Sequence, residues 1–397
     1  MESRSSGGSL RVALVHDWLP LIGGAERVLE QLLQVYPNAD LYTMFNFLDP
    51  KDAEFLADTR ITTSFIQKLP FAKKYYRNLL PLMPGAIEQF DLTGYDLIIS
   101  SSSSVAKGVI TDPDQFHICY CHSPMRYAWD LQEQYLNQTG IGSGVKSALI
   151  RYILHKIRIW DVISANRVDA FVANSGYISR RILKTYRRDA TVIYPPVNVE
   201  RFQPCYDKED FYLTASRQVR YKRIDLIVEA FREMPDKKLV VIGDGPQFKK
   251  IQSLKAPNIE ILGYQGDEVL TDHMRRARAF VFAAQEDFGI MPVEAQACGT
   301  PVIAYGRGGS CETVVNNLTG ILFKRQTRES IIEAVHRFER SETNFKPDTI
   351  RRHAATFSAG RFRSEIARFV ERRMAERIRQ SLPPDNSLLD ARHGIRR

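Results

Sequence analysis

The sequence has few cysteines and no long hydrophobic run. Among its 397 residues there are only 5 cysteines, and none forms a Cys-x-x-Cys pair. This argues against a disulfide framework or a zinc ribbon and favours a reducing compartment. No stretch approaches the roughly 18 apolar residues of a membrane-spanning helix, and the apolar run at residues 12–15 is too short for a signal peptide. We therefore expect a cytoplasmic protein that is soluble or lies at the inner face of the plasma membrane.

The sequence also lacks a dominant charge and a short-period repeat. It has 55 Lys and Arg residues against 46 Asp and Glu residues, a net charge of +9, and it is 44% hydrophobic and 25% charged. These ordinary globular values exclude a chain that is disordered, collagenous or coiled coil throughout. The length predicts two domains. The mild positive excess suits a partner that carries phosphate, such as a nucleotide, a nucleic acid or an anionic membrane, without choosing among them.

What the sequence does have is an alternation of strands and helices that occurs twice. In the first half, a buried strand at residues 12–15 is followed by a loop with Gly23-Gly24 and a helix at residues 25–35. Further strands of this half are predicted at residues 40–43, 97–99, 117–121 and 170–173. Continuous apolar runs between helices indicate parallel strands that are covered on both faces.

A turn-rich segment, Tyr194-Pro195-Pro196-Val197-Asn198, precedes the second alternation. Its strands are predicted at residues 212–215, 239–242, 259–262, 279–282 and 302–304, and its helices at 224–231 and 292–297. We predict a flexible N-terminus (1–9), an N-terminal α/β domain (10–196), a C-terminal α/β domain (197–358), a basic amphipathic helix (359–380) and a disordered tail (381–397). Two such open α/β domains bind ligands in the cleft between the carboxyl ends of their strands.

The loop and helix that begin at Glu286 carry the strongest functional signal. Glu286 lies on the loop after a strand, and Glu294 lies in the first turns of the next helix. Pro292 suits the first turn of that helix, and Gly299 suits the position just after its end. Free N–H groups at the start of a helix favour an anion. The segment therefore predicts an anion site with a carboxylate on either side that can bind a diol.

Two cations and two glycine-rich turns lie on other loops of the second domain. Arg217 and Lys222 follow a predicted strand, and both suit a diphosphate, the arginine by bidentate contact and the lysine as a point charge. The turns Gly243-Asp244-Gly245-Pro246 and Gly306-Arg307-Gly308-Gly309 let a ligand approach the backbone closely.

Taken together, these residues resemble the retaining glycosyltransferases of family 4, which have the GT-B fold. The likeness covers roughly residues 10–380 and includes Glu286 with Glu294, Arg217 with Lys222, the Gly243 turn and Gly308-Gly309 before Glu312. The segments His16-Asp17-Trp18-Leu19, Gly23-Gly24-Ala25-Glu26 and Tyr120-Cys121-His122-Ser123-Pro124 are similar to a bacterial O-antigen mannosyltransferase-like branch. One departure is that the family commonly has glycine where this chain has Ser216 and Arg223. The fold implied has two Rossmann-like domains facing across a cleft and a C-terminal helix that crosses back to the N-terminal domain.

The resemblance implies a role for each site residue. Glu294 would hold the ribose hydroxyls and Glu286 the hydroxyls of the transferred sugar, with His122 near that sugar. Arg217 and Lys222 would hold the diphosphate and stabilise it as it leaves. The implied catalytic residues are thus Glu286, His122, Arg217 and Lys222. The implied donor-binding residues are Gly23, Gly24, Arg217, Lys222, Gly243, Gly263, Phe288, Gly289, Ile290 and Glu294.

The activity implied is transfer of a hexose from a nucleotide-diphosphate sugar, of the GDP-mannose or UDP-glucose type, to a glycan or lipid-linked oligosaccharide in surface polysaccharide synthesis. The anomeric configuration would be retained, with no metal and no other cofactor. Asp112-Pro113-Asp114 has the spacing of a metal-binding motif, but its proline favours a turn. Cys119, Cys121 and His122 lack a second ligand pair for zinc. A nucleotide-sugar epimerase of the same fold is the enzymatic alternative.

Two segments that mix aromatic and basic residues, 65–77 and 149–160, concern the acceptor side. Each can lie on anionic lipid or be an ordinary helix with an apolar core face and a charged outer face. The serines at 100–104 can offer hydroxyls to an acceptor or form a flexible connector. The expected partners are a nucleotide-sugar donor, a glycan or lipid-diphosphate-linked acceptor and an anionic membrane, but no nucleic acid. A non-catalytic, basic membrane-surface protein is the non-enzymatic alternative, which leaves Glu286 and Glu294 without a role.

Overall fold

The computed structural model describes residues 10–133, 136 and 143–381. Within these ranges the chain forms two domains, each built on a parallel β-sheet with helices packed against it, and this confirms the predicted α/β fold. The predicted flexible N-terminus (1–9) and residues 382–397 of the predicted tail lie outside the described residues. Ser381, which we assigned to that tail, instead ends the last helix.

The N-terminal domain has a seven-stranded sheet. Its strands are β1 (Val12–His16), β2 (Asp40–Thr43), β3 (Ile61–Thr63), β4 (Leu97–Ser102), β5 (Phe116–Cys121), β6 (Ala170–Ala173) and β7 (Ala190–Val192). They lie in the order β3-β2-β1-β4-β5-β6-β7, and all neighbouring strands are parallel. The central strands β1, β4 and β5 are buried along their whole length, because helices cover both faces of the sheet. The strand order reverses between β1 and β4, where such sheets bind ligands.

Five helices of the N-terminal domain pack around this sheet. They are α1 (Gly24–Val35), α2 (Ala72–Tyr75), α3 (Met83–Glu88), α4 (Val145–Ala165) and α5 (Gly176–Tyr186), as far as the described ranges show. Helix α1 follows β1 directly and buries Val28, Leu29 and Leu32 on one face. At its start the Gly23 N–H donates to the Glu26 carboxylate at 2.9 Å, which closes the first turn as in a capping box.

The C-terminal domain repeats this plan. Its strands are β8 (Glu209–Ala215), β9 (Leu239–Ile242), β10 (Ile259–Gly263), β11 (Ala277–Phe282), β12 (Val302–Tyr305) and β13 (Gly320–Phe323). Its helices are α6 (Ile224–Arg232), α7 (Phe248–Ser253), α8 (Asp267–Arg276), α9 (Ile290–Ala297), α10 (Ser310–Thr313), α11 (Arg328–Arg340) and α12 (Pro347–Ala355). The parallel sheet has the order β10-β9-β8-β11-β12-β13. The order reverses between β8 and β11, so the loops after these two strands lie at the ligand-binding edge.

The last helix, α13 (Ala359–Ser381), returns from the C-terminal domain to the N-terminal domain, as predicted. Its side chains Phe362, Ile366 and Phe369 are buried in the same cluster as Leu14 of β1. Arg363 also donates to Gln34 of α1 at 2.8 Å. The chain therefore crosses between the domains twice, and the crossings pair where the Val197 N–H donates to the Phe357 carbonyl at 2.9 Å.

The structure departs from the sequence-based expectations in two respects. The strands β3, β7 and β13 were not predicted, and all are short. The expected serine loop is also partly wrong, because β4 continues through Ser102 and its three serines are buried. Their hydroxyls have partners on neighbouring elements, which makes burial of these polar groups tolerable. None of the helices in the described ranges combines the length and the apolar character that crossing a bilayer requires.

Candidate active site between the two domains

Loops at the carboxyl ends of the two sheets meet across an interdomain cleft. Gly24, just after β1, lies so close to Ile290 of α9 that an added Cβ atom would be 2.9 Å from its Cδ1 atom. Ser175, after β6, donates to the Asp287 carbonyl at 2.6 Å. The loops that carry the predicted site residues therefore face one another in the folded chain.

Lys222 and Glu286 form an ion pair in this cleft. Lys222 ends the single turn Arg220–Lys222 after β8, and Glu286 lies on the loop after β11, so adjacent strands at the reversal of strand order bring them together. Both side chains are largely buried. The Lys222 ammonium also lies 5.7 Å from the centroid of the Phe282 ring. The two residues that we expected to hold the phosphate and the sugar thus neutralise each other's charge.

The turn at Gly308-Gly309 fixes the Glu286 loop. The Gly309 N–H donates to the Glu286 carbonyl at 2.8 Å, and residues 286 and 308 form an isolated parallel bridge. A Cβ atom at Gly309 would lie within 3.0 Å of the Phe288 backbone. Gly308 has a φ of 74°, a left-handed conformation that favours glycine. Close backbone packing therefore explains the two glycines, and it positions Glu286 and Phe288 without any side-chain contact.

Glu294 lies in a different environment from Glu286. Helix α9 begins after Gly289, whose φ is 87°, and it ends before Gly299, whose φ is 70°, as predicted for a left-handed cap. Glu294 lines an interdomain cavity of about 400 Å³ together with Arg27 of α1 and Arg201. Burial raises the pKa of the Glu294 carboxyl to about 7. Its charge therefore changes near neutral pH.

Arg217 lies on the loop after β8 but does not join the ion pair. Its side chain is exposed, and it has no ion-pair partner within the described ranges. Its loop is held by the predicted Gly243 turn, since a Cβ atom at Gly243 would lie within 3.0 Å of the Ser216 carbonyl. The buried Gln218 side chain donates to the Gly243 carbonyl at 2.8 Å. The structure thus brings Lys222 and Glu286 together, and it leaves Arg217 exposed on the loop after β8.

His122 belongs to a chain of polar side chains in the N-terminal domain. Its Nε2 atom lies 2.8 Å from the Ser101 hydroxyl, which lies 3.1 Å from Nδ1 of His16. The Nε2 atom of His16 is 3.6 Å from the carboxylate of Glu26, which caps the Gly23-Gly24 loop. Burial lowers the pKa of His122 to about 4, so this imidazole is neutral at physiological pH. The predicted His122 and the predicted glycine loop are therefore parts of one network.

Asp17 is a site residue to which the sequence reasoning gave no role. Its carboxylate is buried and accepts from the N–H groups of Val105 and Ala106 at 2.8 Å and 2.7 Å. It also accepts from the Ser103 hydroxyl at 2.9 Å. Asp17 thereby anchors the loop after β4 to the end of β1. An aspartate directly after a buried strand was the only signal available, and nothing in the sequence identifies its partners.

Glu312 and Asp287 join the domains directly, and we call their contacts the interdomain clasp. Glu312 of α10 accepts from the Gly176 and Tyr177 N–H groups at 2.7 Å and 2.9 Å, at the start of α5 in the opposite domain. Asp287 forms an ion pair with Arg126 and lies 3.6 Å from Arg181. A carboxylate at a helix N-terminus is favoured by the free N–H groups and the helix dipole.

A second cavity, of about 590 Å³, also lies between the domains. Five cations and three carboxylates line it: Arg126, Arg181, Arg220, Arg223, Lys250, Asp130, Asp225 and Asp287. Tyr221 and Gln285 line it as well, and they are the chain neighbours of Lys222 and Glu286. This cavity therefore adjoins the ion pair and has an excess of positive charge.

The remaining predicted positions are turns and buried strands. Gly263 has a φ of 68° and accepts from the Gly243 N–H at 2.7 Å. Asp112-Pro113-Asp114 forms a turn before β5. Cys119 and Cys121 are free thiols buried in β5. Among the described residues, no three His, Cys, Asp or Glu side chains are grouped so that they could hold a metal ion.

Two family models match the chain. The Glycosyltransferase Family 4 model matches residues 22–201, and the Glycosyl transferases group 1 model matches residues 198–355. The boundary between the matches coincides with the turn-rich segment between the two sheets. Together the two models cover residues 22–355, which include most of both domains and the segments that carry Lys222, Glu286 and Glu294.

Several curated proteins are similar in sequence. An uncharacterized glycosyltransferase of Methanocaldococcus jannaschii is 31% identical over 44% of this chain and 52% of its own length. A GDP-mannose-dependent alpha-(1-6)-phosphatidylinositol monomannoside mannosyltransferase of Mycolicibacterium smegmatis is 28% identical over 43% and 53%. The alpha-1,3/1,6-mannosyltransferase ALG2 of Kluyveromyces lactis is 25% identical over 77% and 71%. The matched region spans about half the length of the first two relatives.

Solved structures share the fold at low sequence identity. Sucrose-phosphate synthase from Thermosynechococcus elongatus has a TM-score of 0.70 at 18% identity, covering 93% of this chain and 100% of that one. Anabaena HepE in complex with UDP-glucose has a TM-score of 0.66 at 18% identity, covering 91% and 99%. With both domains matched by family models and the whole architecture shared, the chain belongs to the family 4-like glycosyltransferases with the GT-B fold.

Proposed function

We propose that the protein transfers a hexose from a nucleotide-diphosphate sugar to a glycan or lipid-linked oligosaccharide acceptor in surface polysaccharide synthesis. The observation that carries this proposal is the meeting of Lys222 and Glu286 in the cleft, with Glu294 as the fifth residue of α9, the helix that follows the Glu286 loop. A lysine suits phosphate and the two carboxylates suit hydroxyl groups. A nucleotide sugar carries a diphosphate between two sets of hydroxyls, so one ligand can engage all three side chains.

When the donor binds, Lys222 and Glu286 each contact a different part of it. The diphosphate attracts the Lys222 ammonium, and a sugar hydroxyl donates to the Glu286 carboxylate. Arg217 is exposed on the loop after β8 and has no ion-pair partner in the described ranges, and we assign its long side chain as a second cation at the diphosphate. Glu294 in its own cavity is available to the ribose hydroxyls. These assignments keep every charged group of the donor paired.

The chemistry proposed is a front-face substitution with retention of configuration. The bond between the anomeric carbon and the diphosphate oxygen breaks, and the acceptor oxygen bonds to that carbon from the same side. The departing phosphate oxygen takes the proton of the acceptor hydroxyl. Lys222 and Arg217 stabilise the charge that develops on the leaving group, which is the main contribution expected of the protein. No protein base is required, and His122, whose pKa burial lowers to about 4, is a neutral hydrogen-bonding group near the sugar.

The donor proposed is GDP-mannose or a UDP-hexose. Two of the similar proteins are named as mannosyltransferases, one of them GDP-mannose-dependent, and a structural neighbour is a complex with UDP-glucose. For the acceptor, the cationic cavity beside the ion pair suits a group that carries phosphate. A lipid-diphosphate-linked glycan is such an acceptor, and it would place the enzyme at the cytoplasmic face of a membrane.

A panel of nucleotide sugars tests the proposal. We expect one of GDP-mannose, UDP-glucose and related UDP-sugars to raise the melting temperature and to be hydrolysed slowly, with activity retained in EDTA. DNA should not raise the melting temperature. An epimerase would instead convert the donor without an acceptor, which chromatography of the sugar product distinguishes. If no nucleotide sugar binds, the proposal is wrong.

Lys222→Ala should lower turnover about a hundred-fold or more, because removal of one group that stabilises a developing anion typically costs this much. The melting temperature should change far less, since loss of the partner leaves Glu286 at the edge of a cleft. Lys238→Ala, at an exposed lysine paired with Glu260, is the matched control and should keep most of the turnover. Near-normal turnover of Lys222→Ala would remove this role.

A further inference from the structure

Helix α4 exposes an apolar stripe along its whole length. Five large apolar side chains of this 21-residue helix are between 44% and 88% exposed: Val145, Leu149, Tyr152, Ile159 and Ile163. Their spacing of three, four or seven residues places them on one face of the helix. The opposite face, with Leu154 and Ile157, is buried in the domain core. The outer face is therefore unlike the charged outer face of an ordinary surface helix.

The exposed face of α4 carries positive charge and no negative charge. Lys156 lies within the stripe, with its ammonium 5.5 Å from the centroid of the Tyr152 ring, and Lys146 and His155 are exposed next to it. The only acid in the helix is Asp161, which is buried and paired with Lys107. The exposed face of the helix thus consists of an apolar stripe with one lysine within it and basic side chains along its edges.

A neighbouring segment of the same domain has the same character. Residues 65–82 contain four exposed cations and no acid, the cations being Lys68, Lys73, Lys74 and Arg77. Phe71 in this segment is 76% exposed, and Phe65, Tyr75 and Leu82 are exposed too. The inner side chains of this segment and of α4 belong to one core cluster, and Trp160 of α4 donates to Glu88 of α3 at 2.8 Å. Both segments therefore cover the same side of the domain core.

We propose that the exposed face of α4 is a docking surface for an anionic lipid bilayer, with residues 65–82 beside it. Aliphatic and aromatic side chains in a row can enter the boundary between headgroups and acyl chains, while lysines contact anionic headgroups. The charge selects this occupant. In a symmetric pair docked through the middle of this face, Lys156 would lie near its equivalent, and no exposed acid of the helix could pair with it, which is unfavourable. The inference adds to the proposed function but does not require it.

The test is sedimentation of the full-length protein with vesicles. Phosphatidylcholine vesicles with phosphatidylglycerol should retain the wild-type protein at low salt, and phosphatidylcholine alone should retain it poorly. Leu149→Glu/Ile159→Glu should lower retention about ten-fold or more, because two charges would enter the apolar boundary. Val269→Glu/Leu318→Glu, which changes two exposed apolar positions of the C-terminal domain, should bind like the wild type. Lys146→Gln/Lys156→Gln should weaken the salt dependence.

The outcomes separate this inference from the proposed function. Nucleotide-sugar binding should be unchanged in the Glu variants, which also shows that they fold. Absence of wild-type binding to anionic vesicles would overturn the docking surface and leave the transferase untouched. Equal losses in both double Glu variants would also overturn it. A dimeric wild type that becomes monomeric in Leu149→Glu/Ile159→Glu, with vesicle binding unchanged, would identify the face as a dimer interface instead.

Discussion

Glu286 and Glu294 lie on one short segment but in different electrostatic environments. Glu286 is neutralised by Lys222, whereas Glu294 has no ion-pair partner within the described ranges, and burial raises the pKa of its carboxyl to about 7. Desolvation without a paired charge disfavours the ionised form. A carboxyl group with such a pKa ionises near neutral pH, and its ionised form accepts hydrogen bonds from hydroxyl groups more strongly than its protonated form does. The nucleotide affinity should therefore depend on pH through a single side chain.

Nucleotide binding should tighten as the pH rises from 6 to 8, because hydroxyl donors prefer the ionised carboxylate of Glu294, whose pKa is about 7. Glu294→Gln should bind more weakly and lose this pH dependence. Isothermal titration calorimetry with the nucleotide sugar would measure this, because the diphosphate of a nucleotide sugar does not titrate over this range, whereas the terminal phosphate of a nucleoside diphosphate does. Glu329→Gln, at an exposed site on α11, is the control. A wild-type affinity that is flat over this range would contradict the assignment.

The stability of the unliganded protein should show the opposite trend. Because the pKa of Glu294 lies above the ordinary value of 4.5, the folded state binds more protons than the unfolded state between these two values. The contribution of Glu294 is therefore fully present at low pH and is lost as the pH rises through 7. Glu294→Gln removes this contribution, so its stability should fall less than that of the wild type over the same range.

The elements that position the site are short turns, and backbone contact fixes them. The loop before α9 is held against Gly308-Gly309, and the loop after β8 is held against Gly243. Both contacts hold the loop through its backbone, so they do not depend on the side chains that would contact the substrate. The glycines are therefore expected to control stability and geometry, and the charged residues to control the chemistry.

Gly309→Ala should destabilise the protein by more than about 2 kcal/mol, because the new Cβ atom would overlap the Phe288 backbone, which cannot move away as a side chain tip can. Gly266→Ala is the matched control, since nothing lies within 4 Å of a Cβ atom there. The control should change the free energy of unfolding by less than about 0.5 kcal/mol. Denaturant unfolding of the two variants checks this, and equal stabilities would contradict the packing argument.

The same elements show what the sequence could predict. The buried strands β2, β6 and β9 were placed with their observed ends, because continuous apolar runs between helices identify them. The strands β3 and β7 were missed because three residues give too little pattern. The four-residue strand β13 was missed as well, although its length equals that of β2, β6 and β9. Glu286 and Lys222 were identified from motifs, but their pairing was not. Contacts such as that between Gly176 and Glu312, 136 positions apart, leave no local signal.

At the scale of the whole molecule, the interdomain clasp holds the two domains against each other. Glu312 of one domain caps α5 of the other, and Asp287 joins Arg126 and Arg181 next to the cationic cavity. Glu312 lies in α10, directly after Gly308-Gly309, and Asp287 lies on the loop next to Glu286. Contact between the domains and the geometry of the site therefore depend on the same short segments.

Glu312→Ala should loosen this contact. Hydrogen bonds from N–H groups to a carboxylate contribute roughly 1.5–3 kcal/mol, so amide exchange at Gly176 and Tyr177 should accelerate about ten-fold or more, and the radius of gyration from X-ray scattering should increase. Glu329→Ala, an exposed glutamate of α11, should do neither. Unchanged exchange at Gly176 would show that the carboxylate does not hold the domains together.

Helix α13 also has a consequence for how the protein is made. Its buried residues Phe362, Ile366 and Phe369 complete the core around β1, which is synthesised long before them. The entire second domain is synthesised before this cover is available. Part of the apolar surface of the first domain therefore stays open until α13 has been synthesised and can pack against it. During this interval in a growing cell, the open apolar surface of the first domain is the part of the chain that a chaperone would cover.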